Sequence, residues 1–459
     1  MFSSIKKLHF VGIGGIGMSG IAEILLDQGF KISGSDRAMS DVTERLQSLG
    51  ATVYEGHVAS NIAADVDTLV YSSAVINDNP EVQEAIRRKI PIVRRAEMLA
   101  EVMRLKYGIG IAGTHGKTTT TSMTSLVLME GGLDPTVIVG GKLSGLGGTN
   151  ARLGKGDFIV VEADEFDRSF LSLTPTIAVM TTLETDHLDC YRDLEDIKSA
   201  FIQFANKVPF YGFIVLNLDE PALQDILPHL SKKKIITYGL QSPQADVQAV
   251  DIHHKANTTT FTIVQEHSEL GQITLQIPGK HNVQNALAAV AVGLHLGVPF
   301  EKVKAGIERF TGVYRRWEKK GEANGIVVYD DYAHHPTECK ATLSGVKSGW
   351  RNRVVCVFQP HLFSRTRDFY EEFGKAFLFA DVLVVTDVYP AREEPIQGVT
   401  GELIVNAAKQ YGHKEAHYVQ EKKNVPTYLK QITKSGDIVI TMGAGDIWKF
   451  GEQYLKEIK

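Results

Sequence analysis

The sequence predicts an α/β protein of three domains in series, each built on a mainly parallel sheet. Three observations carry this expectation. The chain has 459 residues, too many for one ordinary domain. Short β-branched runs alternate with helical patterns along most of its length, as strand–helix–strand units do. The pattern also restarts twice, which divides the chain into residues 1–107, 108–313 and 314–459. Neither a short-period repeat nor a low-complexity segment interrupts it.

The first domain opens with a buried strand at residues 8–13, followed by a helix at 18–28, a strand at 31–35 and another within 65–73. Between the first strand and its helix runs Gly12-x-Gly14-x-x-Gly17, and Asp36 ends the second strand. This is the arrangement of a dinucleotide-binding loop, with Asp36 placed for a ribose. NAD would satisfy it. The diphosphate of a nucleotide sugar would satisfy it equally well, because the loop reads only pyrophosphate geometry. A tight turn without any ligand is the plain structural alternative.

The second domain begins with a strand at 108–112 that runs into Gly113-Thr-His-Gly-Lys-Thr-Thr-Thr120 and a helix reaching 131. Small residues let backbone N–H groups approach phosphate oxygens, and the helix N-terminus favours negative charge. Lys117 is placed for the terminal phosphates of a nucleotide and the Thr118 hydroxyl for magnesium. The general P-loop pattern asks for glycine at 111, where this chain has Ile111. Further strands are expected at 157–162, 177–182 and 213–218. The first of these ends in Glu162-Ala-Asp-Glu165 and the second leads into Leu183-Glu-Thr-Asp-His-Leu-Asp189. Carboxylates at strand ends beside a phosphate loop suit a magnesium–nucleotide site. Residues 245–277 turn polar and alternating, which predicts a small antiparallel excursion before the helix at 282–296.

The third domain is expected to carry strands at 325–329, 353–358, 382–386 and 437–441. Composition sets the outer bounds. Hydrophobic content of 43% and charged content of 22% allow a proper core in each domain. A net charge of −5 gives no support to nucleic acid as a partner. The three cysteines, Cys190, Cys339 and Cys356, form neither a C-x-x-C pair nor a disulfide framework, so a reducing, cytoplasmic setting is expected. No run approaches the ~18 apolar residues of a membrane helix. Glycines break up the apolar stretch behind Lys6 and Lys7, so no signal peptide is expected.

Taken in order, several segments resemble the Mur ligases over nearly the whole chain. They are Gly12-Ile-Gly-Gly-Ile-Gly-Met-Ser-Gly20, Gly113-Thr-His-Gly-Lys-Thr-Thr119, Glu162-Ala-Asp-Glu165, His281-Asn-Val-Gln-Asn-Ala286, Asp330-Asp-Tyr-Ala-His-His-Pro336 and Tyr389-Pro-Ala-Arg-Glu-Glu-Pro395. The resemblance implies a Rossmann-like UDP-sugar domain, a central P-loop ATPase and a Rossmann-like amino-acid domain. It assigns the first loop to a UDP diphosphate, with Gly14, Gly15, Ile16, Gly17, Met18, Asp36 and Ser72 as contacts. For ATP it implies Gly113, Thr114, His115, Gly116, Lys117, Thr118 and Thr119, with Asn282 and Asn285 near the adenine. Thr118, Glu162 and His187 are the implied magnesium ligands, and Arg316 and Asp331 the residues the third domain brings to the nucleotide. Of the neighbours Arg315 and Arg316, one is expected at the surface. His334, His335, His361 and Arg365 are the implied amino-acid site, with Arg365 on the carboxylate because a guanidinium fork matches that group. Some members carry a second arginine where this chain has Leu362, and several use a carbamylated lysine, a role not assigned to the nearby Lys198. The Gly-Gly-Ile-Gly-Met loop favours members that join L-alanine to UDP-N-acetylmuramate for peptidoglycan synthesis, over those that attach a preformed peptide. ATP and Mg2+ are the expected cofactors, with no nucleic-acid or membrane partner and at most a weak homodimer.

Overall fold

The computed structural model describes every residue except 1–4, 73–74, 76–77, 144–148, 186–189, 231 and 392. Its first sheet contains β1 (Lys7–Val11), β2 (Lys31–Asp36), β3 (Thr52–Glu55), β4 (Thr68–Tyr71) and β5 (Ile92–Arg94). They lie in the order β3-β2-β1-β4-β5 and are parallel throughout. The connections are α1 (Ile16–Asp27), α2 (Asp41–Ser48), α3 (Pro80–Arg87) and α4 (Arg95–Met103). Leu8, Phe10 and Val11 of β1 are fully buried, as expected of a central parallel strand covered on both faces.

Among the described residues the second sheet has ten strands. It contains β6 (Tyr107–Ala112), β7 (Thr136–Leu143), β8 (Thr149–Arg152), β9 (Phe158–Ala163), β10 (Ile177–Met180), β11 (Phe213–Asn217), β12 (Lys234–Gly239), β13 (Val247–Lys255), β14 (Thr258–Gln265) and β15 (Ser268–Leu275). Their order is β15-β14-β13-β12-β11-β10-β6-β9-β7-β8. Its helices are α5 (Lys117–Glu130), α6 (Leu194–Asn206), α7 (Pro221–Ile226), α8 (Lys280–His295) and α9 (Phe300–Glu308). Helix α5 is rich in threonine, a weak helix former, yet residues 119–128 are all buried. Burial decides the conformation here. Gly306 of α9 lets that helix approach Val127 so closely that a Cβ would meet its Cα at 2.6 Å.

The third sheet holds β16 (Glu318–Ala323), β17 (Ile326–Asp331), β18 (Val354–Phe358), β19 (Val382–Val385), β20 (Ala416–Tyr418) and β21 (Ile438–Met442). Its helices are α10 (Pro336–Gly349), α11 (Phe363–Ala376), α12 (Glu402–Gln410), α13 (Val425–Ile432) and α14 (Ile447–Glu457). The order is β16-β17-β21-β18-β19-β20, with only β16 antiparallel to its neighbour. The sequence reading has no counterpart for β16, whose Glu-Lys-Lys-Gly-Glu-Ala lacks an apolar alternation. An edge strand can do without one.

By contacts the chain forms two compact units, residues 1–250, 262–273 and 284–310, and residues 251–261, 274–283 and 311–459. The first unit joins the first sheet to most of the second. Helix α1 packs on β7 and β8, where a Cβ on Gly20 would sit 3.2 Å from Ala151. Asn150 donates to the Ile16 carbonyl and, at 3.2 Å, to Ser19 Oγ. In the second unit, Trp317 stacks on Tyr329 at 4.3 Å, and Asn257 donates to the Tyr329 hydroxyl at 2.8 Å. Among the described residues, no helix is long and apolar enough to cross a membrane.

Candidate active site

Strand β6 passes into α5 through only four residues, 113–116. Ile111 stays inside the strand, fully buried, which explains why glycine is not required there. Gly116 caps α5 in the left-handed region, at φ +83°, and a Cβ on it would lie 2.3 Å from Asn285 Oδ1. The same Asn285 oxygen accepts from Thr120 Oγ1 at 3.3 Å, so α8 braces the turn. At Gly113 a Cβ would collide with Thr181 Oγ1 at 2.0 Å. The strand end after β10 frames the loop: His115 N–H donates to Thr182 Oγ1 at 2.8 Å, and Glu184 N–H to Thr114 Oγ1 at 3.0 Å. Thr119 is buried on the first turn of α5. Asn282, also on α8, donates to the Pro278 carbonyl at 2.6 Å.

The ammonium of Lys117 is already occupied. It donates to both carboxylate oxygens of Glu165, at 2.9 and 2.7 Å, and to the Gly113 carbonyl at 2.7 Å. Burial lowers its proton affinity, but Glu165, Asp164 and Glu162 outweigh that and leave its pKa above the usual lysine value. Glu162 sits on β9 opposite Ile111. Its carboxylate accepts from Thr118 Oγ1 at 3.1 Å and from Gly140 N–H at 2.7 Å. Burial pushes its pKa up in spite of these donors and of Lys117. A half-buried hydroxyl and carboxylate side by side offer hard oxygen donors, and the pair fits a magnesium ion. His187, the third expected ligand, lies outside the described residues. Lys198 is paired with Asp225 at 2.7 Å and Glu195 at 2.8 Å, and both raise its pKa.

In the first glycine loop, Gly12 and Ile13 N–H groups donate to the Ser35 carbonyl at 2.8 and 3.0 Å. Gly14 N–H donates to Asp36 Oδ2 at 2.8 Å, while Arg37 N–H takes Oδ1 at 2.8 Å. Asp36 therefore braces the loop, a role the expected ribose contact did not include. Gly15 caps α1, so Ile16 and Gly17 carry the first N–H groups of the helix. Ile16 is exposed, Met18 is buried in the core, and Ser72 lies beside Gly12. The side chain of Arg95, at the start of α4, leans on Gly17, 3.2 Å from where a Cβ would be.

In the second unit, Asp331 ends β17 and accepts from Trp317 N–H at 3.0 Å and Ala333 N–H at 2.9 Å. Burial pushes its pKa up to about 6 against the opposing pull of Arg316. Glu338, in the first turn of α10, gathers Arg316 at 3.2 Å, His334 N–H at 2.9 Å and His335 N–H at 3.3 Å. His334 is pushed down to about 3, first by burial, and its ring meets His361 at 5.8 Å. His361 in turn stacks on Tyr389 at 5.8 Å. His335 is buried against Phe369. Arg365 is also buried, on α11, close enough to His334 to disfavour its protonation. Of the two adjacent arginines, Arg316 keeps 30% of its side chain exposed, so the expected surface residue is partly exposed rather than free. Arg315 is buried, bonded to Asp330 at 2.9 Å and to the carbonyls of Gly445 and Gly443 at 2.9 and 2.5 Å.

Three family profiles match in sequence: Mur ligase family, catalytic domain, over residues 7–107; Mur ligase middle domain over 111–293; and Mur ligase, glutamate ligase domain, over 315–445. The UDP-N-acetylmuramate–L-alanine ligase of Geotalea uraniireducens (strain Rf4) is 54% identical over 459 residues, covering 100% of this chain and 99% of that protein. The chain belongs to the Mur ligase family. The Geobacter sulfurreducens protein of the same name is also 54% identical, over 461 residues, with 100% and 99% coverage. Among solved structures, UDP-N-acetylmuramate–alanine ligase from Thermotoga maritima superposes with a TM-score of 0.83 at 29% identity, covering 98% of each chain. A murein peptide ligase from Psychrobacter arcticus shares the fold, with a TM-score of 0.71, 24% identity and coverage of 99% and 98%.

As a Mur ligase the chain needs ATP, which sets aside the oxidoreductase reading of the sequence. Sequence reasoning passed over Arg95, Glu165 and Glu338. Glu165 was visible in the Glu-Ala-Asp-Glu cluster, but only folding pairs it with Lys117. Arg95 carries no distinctive local signal, whereas Glu338, third in α10 behind Pro336, stands in a helix-start pattern that could have singled it out.

Proposed function

We propose that the chain joins L-alanine to the lactyl carboxylate of UDP-N-acetylmuramate, giving UDP-N-acetylmuramoyl-L-alanine, ADP and phosphate, as a cytoplasmic step in peptidoglycan precursor synthesis. The observation that carries this is identity of 54% across the full chain to ligases of that name. The division into residues 1–107, 108–313 and 314–459 is proposed to separate UDP-sugar, ATP and amino-acid binding.

A carboxylate is a poor acyl donor, because its charge repels a nucleophile and oxide is a bad leaving group. In the proposed reaction a lactyl carboxylate oxygen attacks the γ-phosphorus of ATP and ADP leaves, producing an acyl phosphate. The amine of L-alanine then attacks the carbonyl carbon and loses a proton, and phosphate departs. Lys117 would exchange Glu165 for the phosphates and stabilise their charge during transfer. Thr118 and Glu162, with His187, would hold Mg2+, which supplies charge neutralisation to the phosphates when bound. Asn282 and Asn285 are assigned to the adenine side, and the N–H groups of Ile16 and Gly17 to the UDP diphosphate. Arg365 would take the alanine carboxylate, with His334, whose protonation burial disfavours, and His361 as ring neighbours. Arg316 and Asp331 keep their nucleotide role by family resemblance.

Phosphate release from ATP with UDP-N-acetylmuramate tests the reading, comparing L-alanine, glycine, L-serine and a tripeptide. L-Alanine should be preferred; preference for the tripeptide would favour a peptide-recycling ligase. Lys117→Ala should nearly abolish turnover while UDP-sugar binding persists, and full activity in that variant would remove the loop from the chemistry.

A further inference from the structure

A buried polar network lies behind the first glycine loop, and the proposed chemistry does not use it. Its centre is Glu81, on the first turn of α3, fully buried along with His9. Glu81 Oε2 accepts from Ser35 Oγ at 2.5 Å, and Oε1 accepts from Asn61 Nδ2 at 2.5 Å. Asn61 also donates to the Gly56 carbonyl at 3.1 Å. Ser35 Oγ lies 2.9 Å from His57 Nδ1. His9 Nε2 stands 3.7 Å from the same carboxylate, with its other nitrogen 2.9 Å from Ser33 Oγ.

A carboxylate taken fully out of water is expensive unless every oxygen is bonded. Apolar side chains could have filled the space, as they do along the rest of β1. What distinguishes the site is the residue that Glu81 grips. The Ser35 carbonyl receives the N–H groups of Gly12 and Ile13, and its neighbour Asp36 receives that of Gly14. Two successive residues of β2 therefore set the path of the loop, and Glu81 anchors the first through a charge-assisted bond, stronger than a neutral one. The helix N-terminus that follows can present Ile16 and Gly17 to an anion only if that path is kept.

We propose that Glu81 is a positioning residue for the nucleotide-sugar diphosphate, acting through Ser35 on the glycine loop; this rests on the reading of that loop as the UDP-sugar site. Ser35→Ala removes the hydroxyl and keeps the carbonyl. Glu81→Gln leaves an amide that can accept from only one of Ser35 and Asn61. Steady-state kinetics with each substrate varied in turn, together with Tm, read the result. Each variant should raise the KM for UDP-N-acetylmuramate about tenfold, as loss of a charge-assisted bond implies. The kcat and the KM values for ATP and L-alanine should stay within about twofold, and the double variant should be no worse than the stronger single one. Unchanged KM in both variants overturns the proposal. So does a loss spread over all three substrates with a fall in Tm, which marks a purely structural network. Gly14→Ala, whose Cβ would press on Asp36 at 2.9 Å, is the control. If it raises the UDP-sugar KM while the other variants do not, the positioning role fails alone. If it has no effect, the reading of the loop fails.

Discussion

Replacing Glu165 by glutamine removes the counter-charge of the phosphate-loop lysine without changing its size. The two groups are 2.7 Å apart, with side-chain exposures of 16% for Lys117 and 3% for Glu165. At that separation and an effective dielectric of about 20, the gross attraction is about 6 kcal/mol. Desolvation of both ions offsets most of it. Breaking such a pair leaves the ammonium unpaired among backbone carbonyls, and about 3 kcal/mol of stability is expected to go with it. Phosphates can replace the missing carboxylate, so part of that loss should return on ligand binding. A return of about 1.4 kcal/mol means tenfold tighter binding of metal-free ATP. Titration of Glu165→Gln with ATP in EDTA, beside thermal melts with and without nucleotide, measures both quantities. The variant should melt lower alone and gain more from ATP than the parent does. Equal ATP affinity and equal thermal gain would refute the idea that Lys117 exchanges one anion for another.

Arg315→Ala should lower stability by about 3 kcal/mol, because Asp330 is then buried without its partner; Arg316→Ala should leave Tm nearly unchanged and reduce kcat. A denaturant titration and a turnover assay on both variants separate the roles, and the reverse pattern would reverse them. Arg95→Ala should raise the KM for UDP-N-acetylmuramate about tenfold, from loss of one cation at the diphosphate, with the KM for ATP unmoved. Burial pushes the folded pKa of Asp331 up to about 6, above the ordinary aspartate range. Its protonated form therefore favours folding below the unfolded value, and that contribution is lost as pH rises through about 6. Between pH 5 and pH 7.5 the parent should lose more Tm than Asp331→Asn, and parallel losses would remove Asp331 as the cause.

Most central strands could be read from their apolar runs, because a strand covered on both faces must be apolar along its length. Segments β3, β5, β8, β16 and β20 could not, being short or polar at sheet edges where neighbours decide pairing, and the interior strands β7 and β12 also went unread. The excursion at 245–277 was legible from its alternation and appears as β13 to β15. Both glycine turns were legible as strand-to-helix passages for a related reason. A tight turn of this kind is made by consecutive residues, so its signal is contiguous in the chain.

Contiguous residues or their order therefore carried the α/β class, the two glycine-rich strand-to-helix turns and the family. Tertiary structure decided which charges meet. Lys117 finds Glu165 across 48 positions and Ser35 finds Glu81 across 46. Of two adjacent arginines, Arg315 turns inward to clamp Asp330 while Arg316 meets Glu338. Electrostatic partnership depends on distance and burial in space, and neither is written in the spacing of residues along a chain.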